Sequence, residues 1–217
     1  MVRALRITLC VCILVVLGLG GNAHVRAQSG PLMLIEVNTD THRLTVYRDG
    51  IAIKQYPVAL GRPDSPTPIG NWKVINKYKN WGGGFGTRWL GLNVPWGIYG
   101  IHGTNRPHSI GWSASAGCIR MRNRDVEELY EMIRVGTPVR IVGDPLKYMR
   151  RLKDGDIGTD VWLVQDRLLR LGFYRGPCNG RFSLSTQAAL KAFERSQHLP
   201  VDGVVSVRDY HALGLIE

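Results

Sequence analysis

Few cysteines, few acidic residues and no long apolar run set the first limits on this sequence. Four of its 217 residues are cysteine. Its longest apolar stretch, residues 7–20, has 14 residues, whereas a transmembrane helix needs roughly 20. These absences exclude a protein with several membrane spans and a small fold built around many disulfides.

The short apolar stretch lies where a secretory signal peptide would have it. Arg3 and Arg6 precede it, and small residues follow it, with Val25 and Ala27 at a plausible cleavage position. We expect residues 1–27 to be a signal peptide and the body to be exported, to the cell wall or the periplasm. The alternative is an uncleaved N-terminal membrane anchor, which also places the body outside the membrane.

Acidic residues are scarce relative to basic ones. The chain has 28 Lys and Arg against 17 Asp and Glu, a formal charge of +11. Residues 1–27 contain three arginines and no acid, so their removal leaves +8. A basic exported protein fits an anionic cell envelope better than it fits nucleic acid. No obligate protein partner is predicted.

Strand patterns dominate residues 31–143. Short runs rich in Val, Ile and Tyr are bounded by Gly, Asp, Asn or Pro, and "RDG" at 48–50 predicts a hairpin turn. One helix is predicted from Asn123, which would be its cap. Its buried face would comprise Val126, Leu129, Tyr130 and Ile133. The pattern therefore predicts a mainly β domain with one packed helix.

Helical patterns follow in the C-terminal part. Residues 144–154 are charged and are predicted to be a linker. Residues 155–217 predict a small three-helix α domain. Thr159 would cap its first helix, Gly172 would end that helix, and Ser185 would cap the second. No catalytic cluster is evident there, so we predict a binding role and expect the two parts to be independent modules.

The segment 101–123 concentrates the reactive side chains His102, His108 and Cys118. Three interpretations compete for them: a metal site, half of a disulfide, and a cysteine nucleophile with its base. The spacing matches no closed zinc pattern, and no HExxH helix accompanies it. No metal or cofactor is therefore predicted.

A nucleophile fits the local sequence better. Gly117 lets the chain turn sharply before Cys118, and the amides of both residues then point at one spot, as in an oxyanion hole. His102 follows a strand-like run and is a better candidate base than His108, which lies in a loop with proline. A neighbouring imidazolium lowers a thiol pKa from ~8.5 to between about 3.5 and 7.5. A reactive Cys118 thiolate is therefore expected.

These motifs resemble the L,D-transpeptidases of the YkuD type over about residues 31–143. "IHGTN" and "SAGCIRM" match the active-site signature of that family. The resemblance implies a β-sandwich in which Cys118 is the nucleophile, His102 the general base, and the Gly103 carbonyl orients the imidazole. Further motif positions frame the nucleophile turn, namely Ser115, Gly117 and Arg120.

The same resemblance suggests which residues contact the substrate. We expect them from Ser115, Arg120 and Trp112. Aromatic residues near the motifs are candidates to line a substrate groove: Trp81, Phe85, Trp89, Trp96 and Trp112. Ala116 stands where many family members have histidine, so His102 is the sole imidazole of the motif.

The C-terminal part resembles a three-helix peptidoglycan-binding domain over about residues 155–215. "DVWLVQDRLLRLGFY" and "NGRFSLSTQAALKAFERSQHL" match the pattern of that domain, although "CNG" stands where "DG" is more usual. Two resemblances to cell-wall modules in one basic chain support each other. Peptidoglycan is therefore the expected partner.

The reaction that the resemblance implies is acyl transfer on peptidoglycan stem peptides. Cys118 would attack the carbonyl of the L-centre of the diamino acid at stem position three, and the terminal D-Ala would leave. The thioester would then pass to an amine of a second stem, forming a cross-link, or to water. The alternatives are a cell-wall cysteine peptidase and a non-catalytic wall-binding protein.

Two cysteines, Cys118 and Cys178, lie outside the apolar N-terminal run. A pair of cysteines in an exported protein often forms a disulfide. Here the bond would require Cα atoms within about 7 Å, which would press the C-terminal part onto the nucleophile. We therefore expect these two cysteines not to pair.

Overall fold

The computed structural model describes residues 30–217, and the signal-peptide interpretation of residues 1–27 lies outside them. In the described part, no helix has the length and apolarity to cross a membrane. The strands are β1 (Met33–Asn38), β2 (Arg43–Arg48), β3 (Ile51–Pro57), β4 (Leu60–Gly61), β5 (Gly70–Lys79), β6 (Arg88–Leu92), β7 (Tyr99–His102), β8 (Ser113–Ser115), β9 (Ile119–Arg120) and β10 (Pro138–Val142). The helices are α1 (Asn123–Met132), α2 (Thr159–Arg170), α3 (Leu184–Ser196) and α4 (Val207–Ala212), with short 3-10 helices at Gly83–Phe85 and Pro107–Ser109.

Eight strands form one sheet in the order β3-β2-β1-β10-β5-β6-β7-β9, and β4 pairs with β8 separately. The long strand β5 serves both halves of the sheet, because its start pairs with β10 and its remainder with β6. The register shifts between Val74 and Asn76, and such irregularities bend a strand. The mainly β prediction for residues 31–143, called the β part below, is confirmed.

The core of the β part follows from alternation along the strands. Ile35 and Val37 on β1, and Val139 and Ile141 on β10, are buried, while the residues between them are more exposed. Burying one such side chain contributes roughly 1.5–3 kcal/mol of stability.

The predicted turn after β2 is also confirmed, because Asp49 and Gly50 both have positive φ, 52° and 82°. Two consecutive residues of that kind form the tight turn that suits the strand twist.

Helix α1 packs on this core through Val126 and Leu129, and Ile133, which follows the helix, is buried as well, as predicted. Tyr130, the fourth residue of the predicted face, is only partly buried. The predicted cap is wrong by one residue, because Arg122 occupies the cap position and Asn123 begins the helix. The Asn123 side chain instead accepts hydrogen bonds from two loops. Its Oδ1 accepts the backbone N–H of Thr104 at 3.1 Å and that of Thr87 at 3.4 Å. Asn123 thereby ties together the two loops that flank His102.

The three predicted C-terminal helices are α2, α3 and α4, and Gly172, with φ of 82°, follows α2 as expected. Both predicted caps are wrong. Gly158 stands at the cap position of α2, and Ser183 at that of α3. The Thr159 hydroxyl instead donates to the backbone oxygen of Ile69, in the β part, at 3.1 Å. Thr159, which the sequence predicted to cap α2, therefore forms a hydrogen bond between the C-terminal helices and the β part.

Residues 144–217, called the tail below, form one compact unit with the β part. The Arg150 Nε atom donates to Asp160 Oδ2 at 2.9 Å, and the two side chains are only 21% and 6% exposed. Arg150 also reaches the backbone oxygen of Asp64 at 3.5 Å. Leu146 and Leu152, from the predicted linker, join the apolar cluster of the tail. The expectation of two independent modules therefore has to be revised.

Candidate active site

Strand pairing places His102 beside the segment that begins directly after Cys118. Strands β7 and β9 are parallel, with His102 opposite Arg120 and Ile101 opposite Ile119. Paired residues of parallel strands point to the same face, and so do residues two apart along a strand direction. Cys118 precedes Arg120 by two residues, directly before β9, so this alternation places it toward the face that His102 and Arg120 share. The two isoleucines face the core on the other side.

The His102 ring is buried and held in one orientation. It is 3% exposed, and its Nδ1 donates to the backbone oxygen of Gly103 at 2.5 Å, as the resemblance implied. The Trp89 ring stacks on it at 5.7 Å between centroids, and Phe85 lies edge-on at 4.9 Å. With Nδ1 carrying the proton, Nε2 keeps the lone pair that a general base needs.

Burial sets the protonation state of this histidine. Desolvation lowers the pKa of His102 to about 4, although the carbonyls of Gly103 and Phe85 favour the charged ring. The positive charge of Arg120 lowers the pKa further. At neutral pH the ring is therefore neutral and able to accept a proton.

Cys118 follows a turn that depends on glycine. Gly117 has a φ of 107°, a conformation that side chains other than glycine rarely adopt. The Ser115 hydroxyl donates to the backbone oxygen of Cys118 at 2.6 Å and accepts the N–H of Gly117 at 3.0 Å. Ser115 is 1% exposed. It therefore supports the turn from inside rather than lining the groove.

The expected lowering of the Cys118 pKa is wrong for this conformation. Burial raises the pKa of the thiol, although the Gly100 N–H and the Arg120 charge favour the thiolate. The sulfur lies 3.9 Å from the backbone oxygen of Ile98, to which the thiol donates. Because the His102 ring is neutral, it supplies no positive charge to stabilise a thiolate. The resting pair is therefore a thiol and a neutral imidazole.

The predicted oxyanion hole also needs correction. The N–H of Gly117 is already donated to Ser115 Oγ, so it does not point at a reacting carbonyl. Within residues 30–217, the Cys118 N–H has no hydrogen-bond acceptor. Of the two donors predicted from the sequence, Cys118 alone is therefore available to an oxyanion.

We expect slow alkylation of Cys118 at neutral pH, because a partly buried thiol with a raised pKa provides little thiolate. Its reaction rate with iodoacetamide should still be rising at about pH 9. Peptide mass spectrometry after timed labelling at several pH values measures this rate, with Cys178 as the internal comparison. A rate plateau reached below about pH 7 would contradict the neutral pair.

Arg120 lies near the nucleophile and forms a cluster with two further arginines, to which the sequence did not point. Arg120 donates to the Ala114 carbonyl at 3.2 Å. Burial lowers the pKa of its guanidinium, and the charges of Arg106 and then Arg62 lower it further. These two residues come from separate loops, and nothing in their local sequence marks them. The cluster favours an anionic group beside Cys118.

The other predicted contact residues separate by exposure. Trp112 is 69% exposed and remains a candidate for substrate contact. Trp89 and Trp96 are almost completely buried, so they support the site rather than line it. Trp81 and Phe85 are partly exposed; Phe85 contacts the His102 ring, and Trp81 packs on Phe85. His108 lies on the surface of the loop that follows His102.

The two cysteines of residues 30–217, Cys118 and Cys178, are both free. The same residues contain no group of three His, Cys, Asp or Glu side chains that could hold a metal ion.

A cleft of about 300 Å³ lies between the β part and the tail. Pro66, Tyr99 and Ala116 line it on one side, and Ala116 places it beside the nucleophile turn.

A family profile described as the L,D-transpeptidase catalytic domain, YkuD, matches residues 33–141, half of the chain. The chain belongs to the YkuD family. A second profile, the peptidoglycan binding domain, matches residues 157–208. The YkuD match contains strands β7 and β9 together with His102 and Cys118.

Named relatives agree with this family. The L,D-transpeptidase YkuD of Bacillus subtilis strain 168 is 45% identical over 107 residues, which are 49% of this chain and 64% of that protein. YqjB of the same organism, also named an L,D-transpeptidase, is 42% identical over 123 residues, 50% of this chain and 70% of that protein. The chain thus spans less than two thirds of the length of that YkuD protein.

Among solved structures, L,D-transpeptidase 3 from Mycobacterium tuberculosis aligns with 52% of this chain and 62% of that chain. Its TM-score is 0.48 and its sequence identity 19%.

Proposed function

We propose that this YkuD-family protein is an L,D-transpeptidase that acts on peptidoglycan stem peptides through a thioester at Cys118. The observation that carries the proposal is the parallel pairing of β7, which ends at His102, with β9, which begins directly after Cys118. The neutral imidazole has its Nε2 lone pair free for a proton. Nucleophilic catalysis by cysteine requires such a base close to the thiol, which supports the proposal.

In the first half of the reaction, the proton leaves the thiol as the sulfur attacks. The Cys118 sulfur bonds to the carbonyl carbon of the L-centre at stem position three, and His102 Nε2 takes the thiol proton. The Cys118 N–H stabilises the oxyanion. The carbon–nitrogen bond to D-Ala then breaks, and His102 returns the proton to the leaving amine. A thioester and free D-Ala result.

In the second half, an acceptor consumes the thioester. An amine of a second stem attacks the thioester carbonyl and gives its proton to His102. The carbon–sulfur bond breaks, and the Cys118 thiol is regenerated with the proton from His102. Water in place of the amine gives hydrolysis. Because thiol and imidazole both start neutral, each half moves one proton and separates charge only during the reaction.

The arginine cluster gives this site a preference for anionic substrates. Stem peptides carry carboxylates, which a guanidinium binds by charge and by paired hydrogen bonds.

We expect Arg106→Gln to raise KM for a soluble stem about two- to tenfold, and less at high salt, because an exposed charge contributes ~1 kcal/mol. Steady-state kinetics measures this. Arg124→Gln is the matched control, since Arg124 is 85% exposed on α1 and should leave KM unchanged.

A role for the tail in holding the enzyme to the cell wall completes the proposal. It is supported by the match of residues 157–208 to the peptidoglycan binding domain. Export to the cell wall or periplasm follows from the substrate, and from the signal-peptide interpretation of residues 1–27. The net basic charge would favour an anionic envelope.

Defined muropeptides and mass spectrometry separate this function from its alternatives. Cross-linked dimers that have lost D-Ala support transpeptidation, and tetrapeptides trimmed of D-Ala indicate hydrolysis at the same site. Cleavage elsewhere in the stem would indicate a cysteine peptidase. Unchanged muropeptides, together with sedimentation of the protein with insoluble peptidoglycan, would leave a wall-binding protein.

A further inference from the structure

The tail touches the β part at a turn that is one of two similar turns in its sequence. Gly180 and Gly203 both have positive φ, 67° and 72°. A side chain at Gly203 would meet Lys191 and Gln187, within the tail itself. A Cβ at Gly180 would instead lie 2.3 Å from Cε3 of Trp96. The first turn therefore packs on the β part so closely that only glycine fits.

Trp96 begins the segment that leads into β7. Its ring packs edge-on against Trp72 at 5.3 Å between centroids. The tail turn packs against the same buried indole. The indole N–H has no well-formed hydrogen bond within residues 30–217. Trp96 and Tyr99 are three residues apart in the chain, and both line the cleft between the β part and the tail.

Tyr99 and Ile98 carry this contact to the nucleophile. A Cβ at Gly117 would lie 2.6 Å from the Tyr99 ring, so the ring lies directly against the glycine that makes the turn. The Ile98 carbonyl accepts the Cys118 thiol. Any displacement of this segment therefore changes both the position of Cys118 and its hydrogen bond.

The opposite side of the Gly117 turn is also connected to the tail. A Cβ at Gly117 would lie 3.3 Å from the backbone oxygen of Pro66. Two residues earlier, the backbone oxygen of Asp64 accepts a hydrogen bond from Arg150. Arg150 is itself fixed by Asp160, in the first turn of α2. The tail therefore contacts both walls between which Gly117 lies.

We propose that the tail turn formed by residues 177–181 is a positioning element of the active site: by packing on Trp96 it fixes Ile98 and Tyr99 against the nucleophile turn. The tail then serves catalysis directly, besides any attachment to the wall. The kinetic consequence rests on the proposed function, whereas the consequence for the Cys118 thiol does not. Activity on small soluble stems, which need no wall attachment, should depend on the docked tail.

Gly180→Asn in the full chain tests the contact. Asparagine tolerates positive φ better than most residues, so the change adds atoms against Trp96 with little backbone strain. We expect kcat on a soluble stem to fall about tenfold, with KM nearly unchanged, because displacements of ~1 Å at a reacting group cost up to about 100-fold. Cys118 should also react faster with iodoacetamide, since a displaced turn exposes the thiol. Gly172→Asn is the matched control, with φ of 82° and no atom within 4 Å of an added Cβ.

A second variant acts from the β part, for the case in which Gly180→Asn does not fold. Tyr99→Leu removes the ring that supports Gly117 and should give the same loss of kcat and the same faster labelling. In a double-mutant cycle, Gly180→Asn should have little further effect once Trp96→Phe has loosened the contact, because contacting residues are not additive. Thermal unfolding and circular dichroism verify the fold of each variant.

The proposal is overturned if folded Gly180→Asn and Tyr99→Leu keep kcat and the Cys118 labelling profile within about twofold of Gly172→Asn. It is also overturned if the effects of Gly180→Asn and Trp96→Phe simply add. Failure of the wild-type protein to process any stem would refute the proposed function instead. In that event, the labelling comparison still decides whether the tail positions Cys118.

Discussion

The Cys118→Ala variant is expected to lose turnover by about 10⁴-fold or more while keeping its fold, because removal of a nucleophile abolishes the covalent path. The fold should tolerate the change, since the turn is held by Ser115 and by the positive φ of Gly117 rather than by the thiol. Deleting a partly buried sulfur costs only about 1 kcal/mol of unfolding free energy. Intact-mass spectrometry should detect an acyl adduct on the wild type and none on the variant.

Cys178→Ala is the matched control, because Cys178 is the other cysteine of the described residues and is also free. It should retain both the adduct and turnover. Residual turnover of Cys118→Ala within about tenfold of the wild type would contradict the assignment of the nucleophile. Turnover retained by both cysteine variants would show that the reaction does not pass through a thioester at either residue.

Replacing His102 by glutamine should lower kcat/KM by about 10²- to 10⁴-fold, the usual contribution of a general base. The pH profile gives a second, independent result. Burial lowers the pKa of His102 to about 4, so the neutral base is present above that pH and is lost as pH falls through it. For the wild type, kcat/KM should therefore decline on the acid side near pH 4. The variant should lack this decline.

The control for His102 is the other histidine of the same segment. His108 lies exposed on the loop that follows β7, and His108→Gln should leave both kcat/KM and its acid limb unchanged. An acid limb near the ordinary histidine pKa of about 6.5 would contradict the enclosure of His102 by Phe85 and Trp89. Such a limb would mean that water reaches the ring in the free enzyme.

The reactive groups and their local supports follow from short stretches of sequence. A glycine before Cys118 indicated a sharp turn, and the φ of 107° at Gly117 agrees with it. The turn at 48–50 was predictable for the same reason, because backbone conformations of positive φ select a few residue types. Alternating apolar residues likewise indicated β1 and β10. In each case the information lies within a few neighbouring residues.

Helix caps were less predictable, although they are also local. Asn123 and Thr159 have side chains that favour a cap, but the structure uses both for contacts with distant segments. A polar side chain bonds to whichever acceptor or donor the fold brings near. Sequence alone therefore identified the helices correctly and assigned two of their first residues to the wrong partners.

By itself, the sequence determined the mainly β part with its helix, the helical tail, and the identity of the cysteine and histidine. These depend on periodicity, turn residues and motif positions, which are properties of neighbouring residues. Only the tertiary structure decided the protonation of that pair, because desolvation sums over residues from the whole fold. It also assigned the Gly117 N–H to Ser115 and brought Arg62 and Arg106 beside Arg120. The docking of the tail on Trp96 was decided there too, since it depends on the fit of two surfaces distant in the chain.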